Sequence, residues 1–199
     1  MAWFCNEIIA QPSARLFDAL REVDEFAEHI FFVEAVPGAK PNFPPGGLVF
    51  VRDVGEPGAF NTKRSWLAVP ERRSPELAIS PGLPKVITMG GEEHALSPPE
   101  RFLRFLKWLS AESDSVVAYY SAFSWGGQLE REYAWTFNPW EMVFCDAGQG
   151  QIRIFQENDV PWQGPGDVLV STLERLGIES PEWNFHPHDR SFSWDRYRM

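Results

Sequence analysis

Leu16, Leu20, Val23, Ala27 and Ile30 fall at i, i+4, i+7, i+11 and i+14, the spacing of a single apolar stripe along an α-helix. The stripe predicts a helix over residues 13–28, entered through Pro12, which a first helical turn tolerates. Asp18, Glu22, Glu25 and His29 gather on the opposite side, with Glu28 beside them. The helix is therefore amphipathic, with an acidic outer ridge. Before it, residues 2–9 read as a short strand carrying Trp3, Phe4 and Ile8. After it, the prolines and glycines of residues 31–47 predict a loop. Residues 48–54, 65–69 and 85–89 read as strands, and the intervening prolines exclude long regular elements between 55 and 97.

Ser97-Pro98-Pro99-Glu100 has the form of a helix start, with a capping hydroxyl, a proline at the first helical position and a glutamate to complete a capping box. The helix is expected to reach about residue 111, burying Phe102, Phe105, Leu106 and Leu109 and turning Arg101, Arg104 and Lys107 away. Four strands follow, over 115–123, 130–137, 141–145 and 151–156. The turns Trp125-Gly126-Gly127, Asn138-Pro139 and Gly148-Gln149-Gly150 join them into an antiparallel meander. In the second of these, Arg131, Tyr133, Trp135 and Phe137 share one face and Glu130, Glu132, Ala134 and Thr136 the other. A last helix is predicted over 167–176, closed by Gly177.

The pattern predicts a single α+β domain over 1–199: an antiparallel meander sheet with about three helices packed mainly on one face. No alternation of strands and helices calls for a parallel sheet. The segment 179–199 carries Trp183, Phe185, Phe192, Trp194 and Tyr197, and is expected to pack on the body, since five exposed aromatics would invite aggregation.

Composition narrows the function classes. Eighteen Lys and Arg against 28 Asp and Glu leave a formal charge of −10 in 199 residues. That excess opposes a nucleic-acid binder, which must neutralise phosphates, and an anionic membrane surface. Nine Trp and 16 Phe supply large contact areas for a core or an interface. Cys5 and Cys145 are too far apart in sequence for a disulfide framework or a paired metal motif, and read as buried thiols of a reducing cytoplasm. The N-terminus lacks the basic and apolar regions of a secretory signal, and no run approaches the ~20 apolar residues of a bilayer span. A cytoplasmic location is expected.

Few residues carry recognisable chemistry. His186-Pro187-His188-Asp189 is the one stretch resembling a metal site, although a tail packed by its aromatics explains it as well, and no metal or cofactor is expected. Glu130 and Glu132 share a strand face, as paired acid–base carboxylates do, but a solvated face gives the same spacing. No nucleophile elbow, P-loop or dinucleotide fingerprint occurs, so no catalytic residue is assigned. The acidic ridge of Asp18, Glu22 and Glu25 is either a solubilising face or a surface complementary to a basic partner. Trp125, at a turn, is an interface anchor if it is exposed.

Val117-Ala118-Tyr119-Tyr120, Trp125-Gly126-Gly127 and Glu130-Arg131-Glu132-Tyr133-Ala134-Trp135 resemble a pattern in small bacterial immunity proteins, the cytoplasmic antidotes to polymorphic or contact-dependent toxins. The resemblance spans residues 115–145. It implies a non-enzymatic inhibitor that binds a cognate protein toxin and occludes its active site or substrate surface. The contact residues expected on this reading are Asp18, Glu22, Glu25, Trp125, Glu130 and Glu132. Two alternatives stay open: a small-molecule hydrolase or other metal-dependent enzyme using His186, His188, Glu130 and Glu132, and a structural or phage-associated interaction module.

Overall fold

A computed structural model describes residues 3–23, 26, 28–34, 46–52, 86–89, 92–95, 100–125, 128–138, 142–148, 151–156, 162–179, 181, 186–188 and 192–199. Strand β1 (Trp3–Ala10) leads into helix α1 (Ala14–Arg21), then β2 (Ile30–Val33) and β3 (Leu48–Arg52). A small hairpin, β4 (Val86–Met89) and β5 (Glu92–Ala95), precedes helix α2 (Glu100–Ser113). Five strands follow: β6 (Val117–Trp125), β7 (Gln128–Phe137), β8 (Met142–Gly148), β9 (Gln151–Gln156) and β10 (Trp162–Gly164). Helix α3 (Val168–Arg175) and two 3-10 turns, His186–His188 and Trp194–Arg196, complete the chain. The expected strand over 65–69 and the helix-start signal at 97–99 lie outside the described residues.

The main sheet has the order β10-β9-β8-β7-β6-β1-β3-β2, antiparallel at every pairing. From β6 to β9 it is the expected four-strand meander, each strand pairing with the next, and β10, which was not expected, adds beyond β9. The N-terminal strand sits in the middle, pairing with β6 from Trp3↔Ser124 to Ala10↔Val117 and with β3 from Glu7↔Arg52 to Ala10↔Val49. Both of its faces are covered, one by α1 and α2 and the other by α3 and the C-terminal segment, which is why Cys5 and Glu7 through Ala10 are all buried instead of alternating with exposed residues.

One face carries Ile8, Tyr119, Tyr133, Trp135 and Phe137 and packs against α1 and α2. Phe102, Phe105, Leu106 and Leu109 of α2 are all buried here as their spacing predicts, with Phe102 edge-on to Tyr119 at 5.4 Å between centroids. The Ser13 hydroxyl caps α1 by accepting from the Leu16 amide (3.1 Å), and it donates to the Ser113 carbonyl at the end of α2 (3.1 Å). The other face carries Cys5, Ile9, Tyr120, Ala122, Ala134 and Cys145, and α3 packs there through Val168, Leu169 and Leu173. The small side chains of Ala118, Ala122 and Ala134 leave the room that α3 occupies. Asp167 caps α3 on the Val170 amide (3.0 Å), and Gly177, with φ +83°, ends it in the left-handed conformation that favours glycine.

Two expectations are corrected. The helix predicted over 13–28 ends at Arg21, with Glu22 as its C-cap. Val23 of the stripe stays buried, as does Phe26 beside it, but through tight i→i−3 turns, Val23 to Leu20 and Phe26 to Val23, and Ala27 of the stripe lies outside the described residues. The periodicity marked which residues meet the core, while the chain must turn here to deliver Ile30 into β2. The predicted loop over 31–47 accordingly opens with strand residues 31–33, whose run Phe31-Phe32-Val33 pairs with β3.

The C-terminal segment lies against this end of the sheet. The Phe32 amide donates to the Tyr197 carbonyl (2.9 Å) and the Met199 amide to the Ile30 carbonyl (3.0 Å), so the last residues cover the open edge of β2. Trp194 packs edge-on to Phe31, Phe50 and Phe192, with the Arg52 guanidinium 4.1 Å from its ring centroid. Trp183 and Phe185 lie outside the described residues.

Candidate functional site

Glu7 is the one charged residue of β1, and it is fully buried on the α3 face of the sheet. A carboxylate there requires partners, and two other elements supply them. Arg52 stands directly opposite on β3, its Nε donating to Glu7 Oε2 at 3.3 Å. His188 comes from the 3-10 turn of the C-terminal segment, its Nε2 paired with Glu7 Oε1. Tyr120, opposite Glu7 on β6, stacks its ring on the His188 imidazole at 5.4 Å and 11°. Burial alone would raise the Glu7 carboxyl, but the charges and hydrogen bonds of His188 and Arg52 outweigh it and hold the group below its ordinary value.

Cys5 lies two residues before Glu7 and faces the same way, with Sγ 3.9 Å from His188 Nε2. The ligand atoms of Cys5, Glu7 and His188 all lie within 4.8 Å of one another. A nucleophile–base–acid relay places the nucleophile and the acid at opposite ring nitrogens, so that the imidazole passes a proton between them. Here thiol and carboxylate both approach Nε2. The arrangement is one of convergence on a point, the requirement for a shared cation.

Tyr120 links this cluster to a second one. Its hydroxyl donates to Glu132 Oε1 at 2.8 Å, and the same oxygen accepts the Leu169 amide in the first turn of α3 at 3.2 Å. Burial, and then the charge of Asp167, push the Glu132 carboxyl up to about 7, against the lowering effect of the Tyr120 hydroxyl and the α3 amides. Burial and the neighbouring Glu132 charge raise the Tyr120 phenol well above its ordinary value, so it remains a donor.

The residues singled out from the sequence are distributed as follows. Asp18 and Glu22 are exposed on α1 and at its C-cap, and Asp18 pairs with Arg21 at 3.6 Å. Glu25 lies outside the described residues. Trp125 ends β6 opposite Gln128, and Glu130 lies within β7; their side chains are outside the described set. Glu132 is a correction. Its assignment to a partner-contacting surface fails, because at 4% exposure it lies beneath α3, bonded to Tyr120 and the Leu169 amide. Strand alternation identified its face, and that face is covered. Of the His186/His188 pair, His188 is drawn to Cys5 and Glu7, and Tyr120 connects it to Glu132; the His186 side chain is not described.

Glu7, Cys5, Arg52 and Tyr120 were not found from the sequence. The available signal was a lone glutamate within the apolar run of β1, two residues from a cysteine. Among the described residues, no helix is long and apolar enough to cross a membrane. Compared with protein-family models, curated proteins and solved structures, the chain finds no match in any of the three.

Proposed function

We propose that this chain is a cytoplasmic, non-enzymatic immunity protein that binds a cognate protein toxin and blocks its active site or substrate surface. The supporting observation is the division of its acidic groups. Glu7 and Glu132 are buried and committed to internal partners, whereas Asp18 and Glu22 project into solvent on a chain of net charge −10. Carboxylates buried this way serve the fold, and exposed ones place negative charge where it can steer a basic partner into encounter. The β6–β7 hairpin adds an apolar element, Leu129, which is 52% exposed and lies opposite Ser124 in the ladder. The proposed contact surface therefore comprises Asp18, Glu22, Glu25, Trp125 and Glu130, without Glu132.

Its test is growth rescue. The product of the gene adjacent to this chain's own is expressed from an inducible promoter, with and without this chain. Growth arrest relieved by co-expression supports the reading. Arrest that persists with this chain folded and abundant removes it.

A further inference from the structure

We infer that Cys5, Glu7 and His188 form a zinc site that fastens the C-terminal segment to the central strand of the sheet. This goes beyond the partner-binding reading and does not depend on it. The donors are a thiol, a carboxylate oxygen and an imidazole nitrogen, a set matched to a borderline-soft divalent cation, and each type serves as a zinc ligand. Cys5 and Glu7 are offered by one strand face at i and i+2, and His188 closes over them from a segment 181 residues along the chain. Ligands about 2.0–2.3 Å from a tetrahedral zinc stand roughly 3.3–3.6 Å from one another. The 3.9 Å between Cys5 Sγ and His188 Nε2 needs a small contraction to meet that requirement, and the direct His188–Glu7 hydrogen bond must open to admit the ion between them.

The surroundings are those of a supported site. Arg52 binds Glu7 through Oε2, leaving Oε1 toward the cluster, so the guanidinium orients the carboxylate without occupying the ligand atom. Tyr120 stacks on the imidazole and fixes its plane. A thiolate and a carboxylate contribute two negative charges beside the Arg52 cation, which suits a divalent ion. On binding, Cys5 releases its thiol proton, and the imidazole ligates through Nε2 while keeping a proton on Nδ1. Three protein ligands leave a fourth position for water, and the His188 side chain, 8% exposed, lies close enough to the surface for solvent to reach it.

The test uses the full chain purified without a polyhistidine tag, stripped with chelator and titrated with cobalt(II) as the spectroscopic stand-in for zinc. One cobalt per chain, with a near-ultraviolet thiolate-to-cobalt band and tetrahedral visible bands, is expected. Cys5→Ser should abolish the thiolate band, and Cys145→Ser should retain it. His188→Gln should weaken zinc affinity by more than the about 10–100-fold that loss of an outer hydrogen-bonding partner costs. Circular dichroism establishes that each protein titrated is folded, and the wild-type spectrum tests the site even where a variant fails to fold. A folded wild-type chain with no thiolate band at excess cobalt, or a band that survives Cys5→Ser, overturns the inference.

Discussion

Replacing Glu132 with glutamine isolates one buried carboxyl and gives its pH signature a definite sign. In the folded chain the group titrates at about 7, against an ordinary value of 4.5. Between those values the folded state binds a proton that the unfolded state has released, so stability falls as pH rises. The protonated form's stabilising contribution is complete below 4.5 and lost as pH climbs through about 7. The gap of 7 − 4.5, at about 1.4 kcal/mol per pH unit, amounts to roughly 3 kcal/mol. Glutamine is isosteric, and its Oε1 still accepts from the Tyr120 hydroxyl and the Leu169 amide, while its neutral amide removes the repulsion from Asp167. Urea unfolding of wild type and Glu132→Gln between pH ~4 and pH ~8 measures the difference with other titrating groups common to both proteins. The variant should gain on wild type by about 3 kcal/mol across that window, with the gain complete by the alkaline end. A difference that stays flat to within ~0.5 kcal/mol would show that burial does not hold this carboxyl up.

Phe102→Ala should cost about 3–5 kcal/mol in denaturant unfolding, because the ring is fully buried between Phe105 and Tyr119; a loss below ~1 kcal/mol would contradict that packing. Trp194→Ala should release the C-terminal segment from Phe31, Phe50 and Arg52. Hydrogen exchange at the Phe32 amide, which donates to Tyr197, should then quicken while the β6–β7 amides keep their protection. Asp18→Lys with Glu22→Lys should slow association with the cognate toxin by about tenfold at low salt and flatten its salt dependence; an unchanged rate takes α1 out of the interface.

The meander from β6 to β9 was legible because each strand is rich in aromatic or β-branched residues and each connection carries its own turn residues, so local chemistry specified the pairing. The buried face of α2 was equally clear, since Phe102, Phe105, Leu106 and Leu109 repeat at helical spacing on an element long enough to show it. The end of α1 was not, because Val23 and Ile30 keep the rhythm of a helix and stay buried although the chain has left the α-helix at Arg21. Glu132 shows a different limit. Alternation assigns a residue to a face, but what covers that face is decided by α3, a helix that begins 36 residues later. The Cys5–Glu7–His188 cluster lies beyond local pattern altogether. His188 and Glu7 are 181 residues apart, and only the central placement of β1 and the return of the C-terminal segment bring them together. The lone glutamate in β1 signalled that a buried charge needed a partner, and the partner's identity came from the fold.

The most direct test of the partner-binding account is calorimetric titration of this chain with the purified product of the adjacent gene, at low and moderate salt. The account predicts a one-to-one complex whose affinity falls as salt rises and which suppresses the toxin's activity. Absence of heat and of a complex, with both proteins folded, would contradict it.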